Sequence, residues 1–434
     1  MIPQTTRIGE SITLHTVKTE KFKTGMLSVS VSMPTSAEIT VCNSLLAGIM
    51  RRGTKKYPSV SSVNRRLDEL YASVVEVKTA KYGANEMLVI SSELLDNSYA
   101  TDGTDIADGV LEVIAELLLH PLTSEDGAFV SKNVTQEKRL LIDALRSEIN
   151  NPRVYALTRL VESLNRADPR RATTKQMIEI AQNIDRYSLT DHYKNNILDQ
   201  SIDIFYVGSL DADELIPKIN KHFAKGTRLA EREILPVNAI KPDAEAIELT
   251  EDMPVSQGKL AIGFRTGVCI DSDKYYALIV MNEILGGSPA SKLFMNVREK
   301  LSLCYYCSSS YNMYNGNLII SSGIEVDDKD KAYTAILSQL DDIKHGKISQ
   351  SEFESAKKSL ENGYRQIYDN PFELHGFYSG RMLFGISDTV NDCRERIAKV
   401  TLDDVISVSQ GVKLDTVFFL RGTLTTDEED SDDE

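Results

Sequence analysis

The chain repeats itself, and that narrows what it can fold into more than any other feature does. Leu88-Val89-Ile90-Ser91-Ser92 returns as Leu318-Ile319-Ile320-Ser321-Ser322, and Cys42-Asn43-Ser44-Leu45-Leu46 is echoed by Met281-Asn282-Glu283-Ile284-Leu285. Met26-Leu27-Ser28-Val29-Ser30-Val31, which reads as an edge strand, has its counterpart in Lys259-Leu260-Ala261-Ile262-Gly263-Phe264. Asn151-Pro152 and Asn370-Pro371 each end a long helical stretch. The matches keep their order at spacings of roughly 220–240 residues, so two copies of one domain are expected. Strand and helix signals mix without regular alternation within each copy, which favours α+β over a doubly wound parallel sheet. Met87 to Ser92 has the β-branched, apolar character of a strand. Ile106, Val110, Val113, Ile114, Leu117 and Leu118 fall at helical spacing. Asp211 with Glu214 makes a capping-box-like helix start after the strand Ser201 to Val207, and Thr416 to Leu420 closes the second copy in the same way. The expected architecture is therefore two homologous domains, each a mostly antiparallel sheet with helices packed against it. They would occupy residues 1–225 and 255–425, joined by a proline-bearing linker at 226–254 and followed by an acidic, disordered tail at 426–434.

Composition excludes several classes of function. The net charge of −15 opposes a nucleic-acid binder, which needs clustered Lys and Arg. No apolar run approaches the ~18 residues of a membrane helix, and the start Met1-Ile2-Pro3-Gln4-Thr5 lacks a signal-peptide pattern, so a cytoplasmic protein without membrane partners is the default. The cysteines, Cys42, Cys269, Cys304, Cys307 and Cys393, are odd in number and scattered, as suits reduced thiols. Cys304 and Cys307 form the close pair, and they read as small buried hydrophobes. No nucleotide-binding or serine-hydrolase motif is present, and Gly286-Gly287-Ser288-Pro289 reads as a turn between two helices.

One segment carries a definite resemblance. Asn43-Ser44-Leu45-Leu46-Ala47-Gly48-Ile49-Met50-Arg51-Arg52-Gly53-Thr54 is similar to the metal-binding helix of the insulinase/pitrilysin family of zinc peptidases. In that family His-x-x-Glu-His is followed by an apolar residue, a base and Gly-Thr. Registered on Gly53-Thr54, this chain has Ser44, Ala47 and Gly48 where the two zinc ligands and the general base would stand. The third ligand of the family is a Glu on a later helix. Registered on Glu137 and Asn151-Pro152, Ala144 falls at that position, while Glu137 itself reads as a surface carboxylate and Asp143 lies about 100° round the helix. A zinc site of this kind also needs two His one helical turn apart. The six His of the chain are His15, His120, His192, His222, His345 and His375, and the closest pairs stand 30 residues apart. Neither metal nor other cofactor is expected, and catalytic residues are expected to be absent.

The resemblance also points to what was kept. Gly286-Gly287-Ser288-Pro289 through Arg298-Glu299-Lys300 to Tyr305 resembles the family's second signature, whose Arg and Tyr reach the substrate in active relatives. Arg298 and Tyr305 occupy those positions. A guanidinium and a phenol can each donate to a peptide carbonyl. The plainer readings are a helix-surface Arg paired with Glu299 and a half-buried strand Tyr. Relatives of this size form half of a clamshell that encloses peptide, and some pair a zinc-bearing chain with a degenerate one, as in processing-peptidase-like heterodimers. The resemblance thus implies a non-catalytic subunit or partner of a zinc-bearing paralogue, supplying chamber wall and substrate contacts. The alternative is a homodimer that binds peptide or protein with no peptidase role, and the third reading is a peptidase whose metal site has moved.

Overall fold

A computed structural model describes residues 1–223, 233–240 and 245–424. The acidic tail and parts of the expected linker lie outside these residues. Among the described residues, the first sheet has six strands: β1 (Gln4–Ile8), β2 (Ile12–Lys18), β3 (Thr24–Pro34), β4 (Val74–Tyr82), β5 (Asn85–Leu95) and β6 (Ile202–Gly208), in the order β1-β2-β6-β3-β5-β4. The second has five: β7 (Ile247–Met253), β8 (Gly258–Arg265), β9 (Tyr306–Asn312), β10 (Asn317–Ile324) and β11 (Lys413–Gly422), in the order β7-β11-β8-β10-β9.

The repeat read from sequence is a repeat of topology. Leaving β1 aside, each sheet starts with one parallel pair, β2 on β6 and β7 on β11, and continues antiparallel to its far edge. β3 matches β8 and β5 matches β10, as the sequence echoes require. The mostly antiparallel α+β architecture is borne out. Met26 to Val31 is not an edge strand, however. β3 lies between β6 and β5 and is buried on both faces. Its serines at 28, 30 and 32 mimic a solvent face in the sequence, yet they are 3%, 4% and 1% exposed.

The helices used below are α1 (Ala37–Met50), α2 (Ser131–Ser147), α3 (Pro152–Leu164) and α4 (Pro371–Leu383). The compact units do not keep to the contiguous spans 1–225 and 255–425. The first comprises Met1–Leu145, Ala172–Pro236 and Ile367–Thr389, and the second comprises Arg146–Arg171, Val237–Gln366 and Val390–Glu434. Each unit thus receives a helix from the other half of the sequence, α3 in the second unit and α4 in the first. Both begin at the repeated Asn-Pro. The Asn151 side chain accepts from Val154 N at 3.2 Å and the Asn370 side chain from Phe372 N at 2.8 Å, each with Pro in the first turn. Proline suits that place because its missing N–H would have had no partner there.

In the first unit one face of the sheet is mainly apolar, with Glu86, Ser92 and Thr16 buried among its aliphatic side chains. Leu27, Val29, Val31, Leu88, Ile90, Leu14 and Ile204 pack there against α1 and the helix Ile106–Leu119 in one continuous core. In the second unit α3 lies so close on β8 that a Cβ at Gly263 would meet both Leu164 methyls at 3.1 Å. Among the described residues no helix is long and apolar enough to cross a membrane.

Candidate functional site: a degenerate metal helix

α1 begins at Ser36, whose side chain accepts from Ile39 N at 3.2 Å. Thr40, Val41, Cys42, Leu45, Leu46, Ile49 and Met50 are buried, so the helix is held on most of its circumference. Beyond it Gly53 takes φ +139, and a Cβ there would lie 2.8 Å from the Pro58 and Ser59 backbone. Thr54 is fully buried and its N–H donates to Tyr57 O at 2.7 Å. Gly-Thr therefore survives because the turn needs it. The residues that have changed are the ones only a metal would need.

At the changed positions the structure shows no ligand chemistry. The Ser44 hydroxyl turns back to donate to Thr40 O at 2.7 Å. Ala47 is a buried methyl and Ala144 an exposed one. Gly48 is the most telling. A Cβ built on it would lie 2.6 Å from Glu137 Cδ, so the carboxylate of α2 fills the space a ligand side chain would occupy. Glu137 is no surface carboxylate: its side chain is 12% exposed and accepts from Arg52 Nε and Nη2 at 2.5 Å. A guanidinium stands against the surviving acid, and hydroxyl, methyl, hydrogen and methyl stand where four functional side chains would be. These residues do not fit a zinc ion. Among the described residues no group of three or more His, Cys, Asp or Glu is placed to hold a metal. Gly48→His is expected to cost about 1–3 kcal/mol, because Glu137 must abandon Arg52 to admit the ring. In a Glu137→Ala background the same substitution should cost much less. Urea denaturation of the four chains checks this, and equal costs in both backgrounds would dismiss the clash.

Sequence reasoning missed a buried polar cluster beside the helix. Glu86 and Asn43 are fully buried. Thr40 Oγ1 donates to Glu86 Oε2 at 2.7 Å and Asn43 Nδ2 to Glu86 Oε1 at 3.1 Å. Asn43 Oδ1 faces His192 Nε2 at 3.0 Å, and Asn196 Nδ2 faces His192 Nδ1 at 3.1 Å. A neutral imidazole protonated at Nε2 satisfies both contacts. Burial pushes the His192 pKa down to about 4. The available signal was an Asn and a Glu placed inside otherwise apolar stretches.

Arg298 and Tyr305 stand at the junction of the helical segment Leu293–Lys300 and β9 in the second unit. Arg298 lies over the Phe294 ring, 4.6 Å from its centroid, and its Nε is 3.7 Å from Glu299 Oε1. Tyr305 is not the half-buried strand residue of the plainer reading. It precedes β9, is 54% exposed, and donates its hydroxyl to Glu325. That carboxylate raises the phenol pKa above its ordinary value, with a smaller push from burial. The Arg298 charge is felt at the neighbouring Cys304, whose thiol is drawn below its ordinary pKa by contact with Cys307, then Ser322 and Arg298, against burial. Cys307 is buried, as expected, while Cys304 is only partly so. Each of the two named side chains thus stands beside its own acid.

Known proteins match this chain closely. The family model described as the peptidase M16 inactive domain matches residues 183–360. A probable inactive metalloprotease, YmfF of Bacillus subtilis (strain 168), is 31% identical over 412 residues, covering 95% of this chain and 96% of its own length. An uncharacterized zinc protease of the same organism, YmxG, is 23% identical, covering 80% of this chain and 85% of its own. Among solved structures, a conserved protein from Enterococcus faecalis V583 superposes with TM-score 0.89 at 26% identity, covering 98% of this chain and 99% of that one. The peptidase M16 inactive domain from Pseudomonas fluorescens superposes with TM-score 0.79 at 16% identity, with coverages of 98% and 99%. With the metal helix emptied of ligands and base, and with these relatives, the chain belongs to the M16 (insulinase/pitrilysin) metallopeptidase family as a non-catalytic member.

Proposed function

We propose that this protein is the non-catalytic subunit of an M16-type assembly, working in the cytoplasm beside a zinc-bearing paralogous chain. In this reading Arg298 and Tyr305 line the peptide chamber and donate to backbone carbonyls of the substrate. The observation that supports it most is an asymmetry. The metal helix has been closed by Glu137 and Arg52, whereas the second unit keeps the Gly-rich turn with an Arg and an exposed Tyr at the expected spacing. Each has a neighbouring carboxylate that a substrate carbonyl can displace at small cost, because exposed polar pairs contribute little.

The test is co-purification from the native host with a His-x-x-Glu-His paralogue, followed by peptidase assay of the pair. Arg298→Ala and Tyr305→Phe change partly or wholly exposed side chains, so folding should be unaffected. Each should lower kcat/KM of the pair by about tenfold or more if its donor meets developing charge. Full activity of the paralogue alone would sink the proposal. A stable homodimer that binds peptide without any paralogue would favour a peptide-binding module in its place.

A further inference from the structure

The two faces of the first sheet differ in kind. The face toward α1 is mainly aliphatic and its buried Glu86 is held by Thr40 and Asn43, while the opposite face, covered by α4, carries Ser28, Ser30, Ser91, His15, Asp203 and Phe205. The cover is fastened by Ser28 Oγ against His375 Nε2 at 2.6 Å, and the Phe205 ring meets His375 edge-on at 5.1 Å. Beneath α4 the packing is incomplete and leaves a cavity of about 290 Å³. A cavity lined by hydroxyls, imidazoles and a carboxylate is not a dry void, and apolar walls with a few convergent polar groups are the usual make-up of a ligand site.

The register shows how its charges are laid out. Asp203, Ser30, Val89 and Lys78 are successive partners across β6, β3, β5 and β4, so they form one row along the cavity floor. Three strand spacings separate the Cα atoms of Asp203 and Lys78 by about 14 Å. Asp203, with its side chain 12% exposed, lies at the inner end, 3.5 Å from His15 Nε2. Lys78 lies at the outer end, half exposed and paired at 3.3 Å with Glu76. Its charge is close enough to add to the effect of burial in pushing the His375 pKa down to about 4. Between the charges the apolar surfaces of Phe205, Met87, Val89 and Leu383 are interrupted by the hydroxyls of Ser30 and Ser91. The cavity therefore has an anionic end, a middle that is apolar apart from a few hydroxyls, and a cationic mouth.

We propose that this cavity binds a short apolar peptide with free termini, its ammonium at Asp203, its carboxylate at Lys78 and its length about two or three residues at ~3.5 Å each. Side chains reaching inward from both ends shorten the 14 Å row to that span. Ser30 and Ser91 supply hydroxyls for the peptide groups between. A medium-chain fatty acid would satisfy Lys78 and the walls, yet it would bring a methyl end to Asp203. The proposal does not depend on a partner chain.

Calorimetric titration of the full-length protein with leucyl-phenylalanine tests it, with the N-acetylated and C-amidated dipeptides and octanoate as comparisons. The free dipeptide should bind, and blocking either terminus should weaken it by about tenfold, the worth of one hydrogen bond to a charged group. Lys78→Gln should weaken the free dipeptide to a similar degree while leaving the amidated one unchanged. Gly376 lines the cavity on α4, and a Cβ there meets nothing within 4 Å. Gly376→Leu should therefore close the mouth and abolish binding in a protein that melts no lower than the parent. The proposal is overturned if leucyl-phenylalanine does not bind, if octanoate or the blocked dipeptides bind as tightly, or if binding survives both substitutions.

Discussion

Asp415→Ala is expected to destabilise the second unit by about 3–5 kcal/mol, the usual cost of leaving one partner of a buried ion pair alone. Asp415 and Arg265 are each 2% exposed. Arg265 Nε donates to Asp415 Oδ2 at 3.2 Å, Arg166 Nη1 donates to Oδ1 at 2.8 Å, and Thr416 Oγ1 adds a third bond at 2.7 Å. Burial works to raise the carboxyl pKa, yet Thr416, Arg166 and the Arg265 charge together hold it below the ordinary range. Arg265 also donates to Asn317 Oδ1, to Asn165 Oδ1 at 3.4 Å and to Leu164 O, the last carbonyl of α3. One guanidinium thus ties β8, β10, β11 and the exchanged helix together. Without Asp415 that charge stays buried and loses its bonded carboxylate. The predicted loss should appear as a lower urea midpoint, with faster hydrogen exchange in β8, β11 and α3. The double replacement Arg265→Met with Asp415→Leu should recover much of it, since paired removal leaves no charge behind. An unchanged midpoint in the single variant would show that Arg166 and solvent already screen the site.

The sequence legibly carried the repeat, because the strand echoes and the Asn-Pro pairs that end its long helical stretches are local features written twice. It also carried the emptied metal positions, since Ser44, Ala47, Gly48 and Ala144 are identities and need no geometry. What it hid were consequences of packing. Ser28, Ser30 and Ser32 alternate with apolar residues as a solvent-facing edge would, but α4 comes from more than three hundred residues away to bury them. Glu137 reads as surface on a largely exposed helix, and only the missing side chain at Gly48 lets it turn inward to Arg52. Likewise Asn43, Glu86 and His192 are far apart in the chain and become one cluster only when β5 and the helix Arg186–Tyr193 meet α1.

His192 and His375 are expected to make the first unit acid-sensitive in a defined window. His192 and His375 both have pKa values pushed down by burial to about 4, from an ordinary 6.5. Between these values the unfolded chain binds protons that the folded chain refuses, so stability rises with pH across the interval. It is fully present above about pH 6.5 and is lost as pH falls toward 4. At pH 5 each group should remove about 2 kcal/mol relative to pH 8, or about 4 together. The chemistry agrees with the sign: a protonated His192 would present two donors, and its contact with the Asn196 amide would be lost. For a unit of this size the melting temperature should fall by about 10 °C between pH 7.5 and pH 5. Carboxylates of the first unit held below their ordinary pKa, such as Asp108 and Glu112, lose their stabilising contribution only at lower pH and leave this window to the imidazoles. His192→Asn and His375→Asn should each flatten the slope by about half, whatever they cost at neutral pH, because the linkage belongs to each titrating group separately. If the double variant keeps the parent slope, the acid sensitivity lies elsewhere and both imidazoles titrate normally.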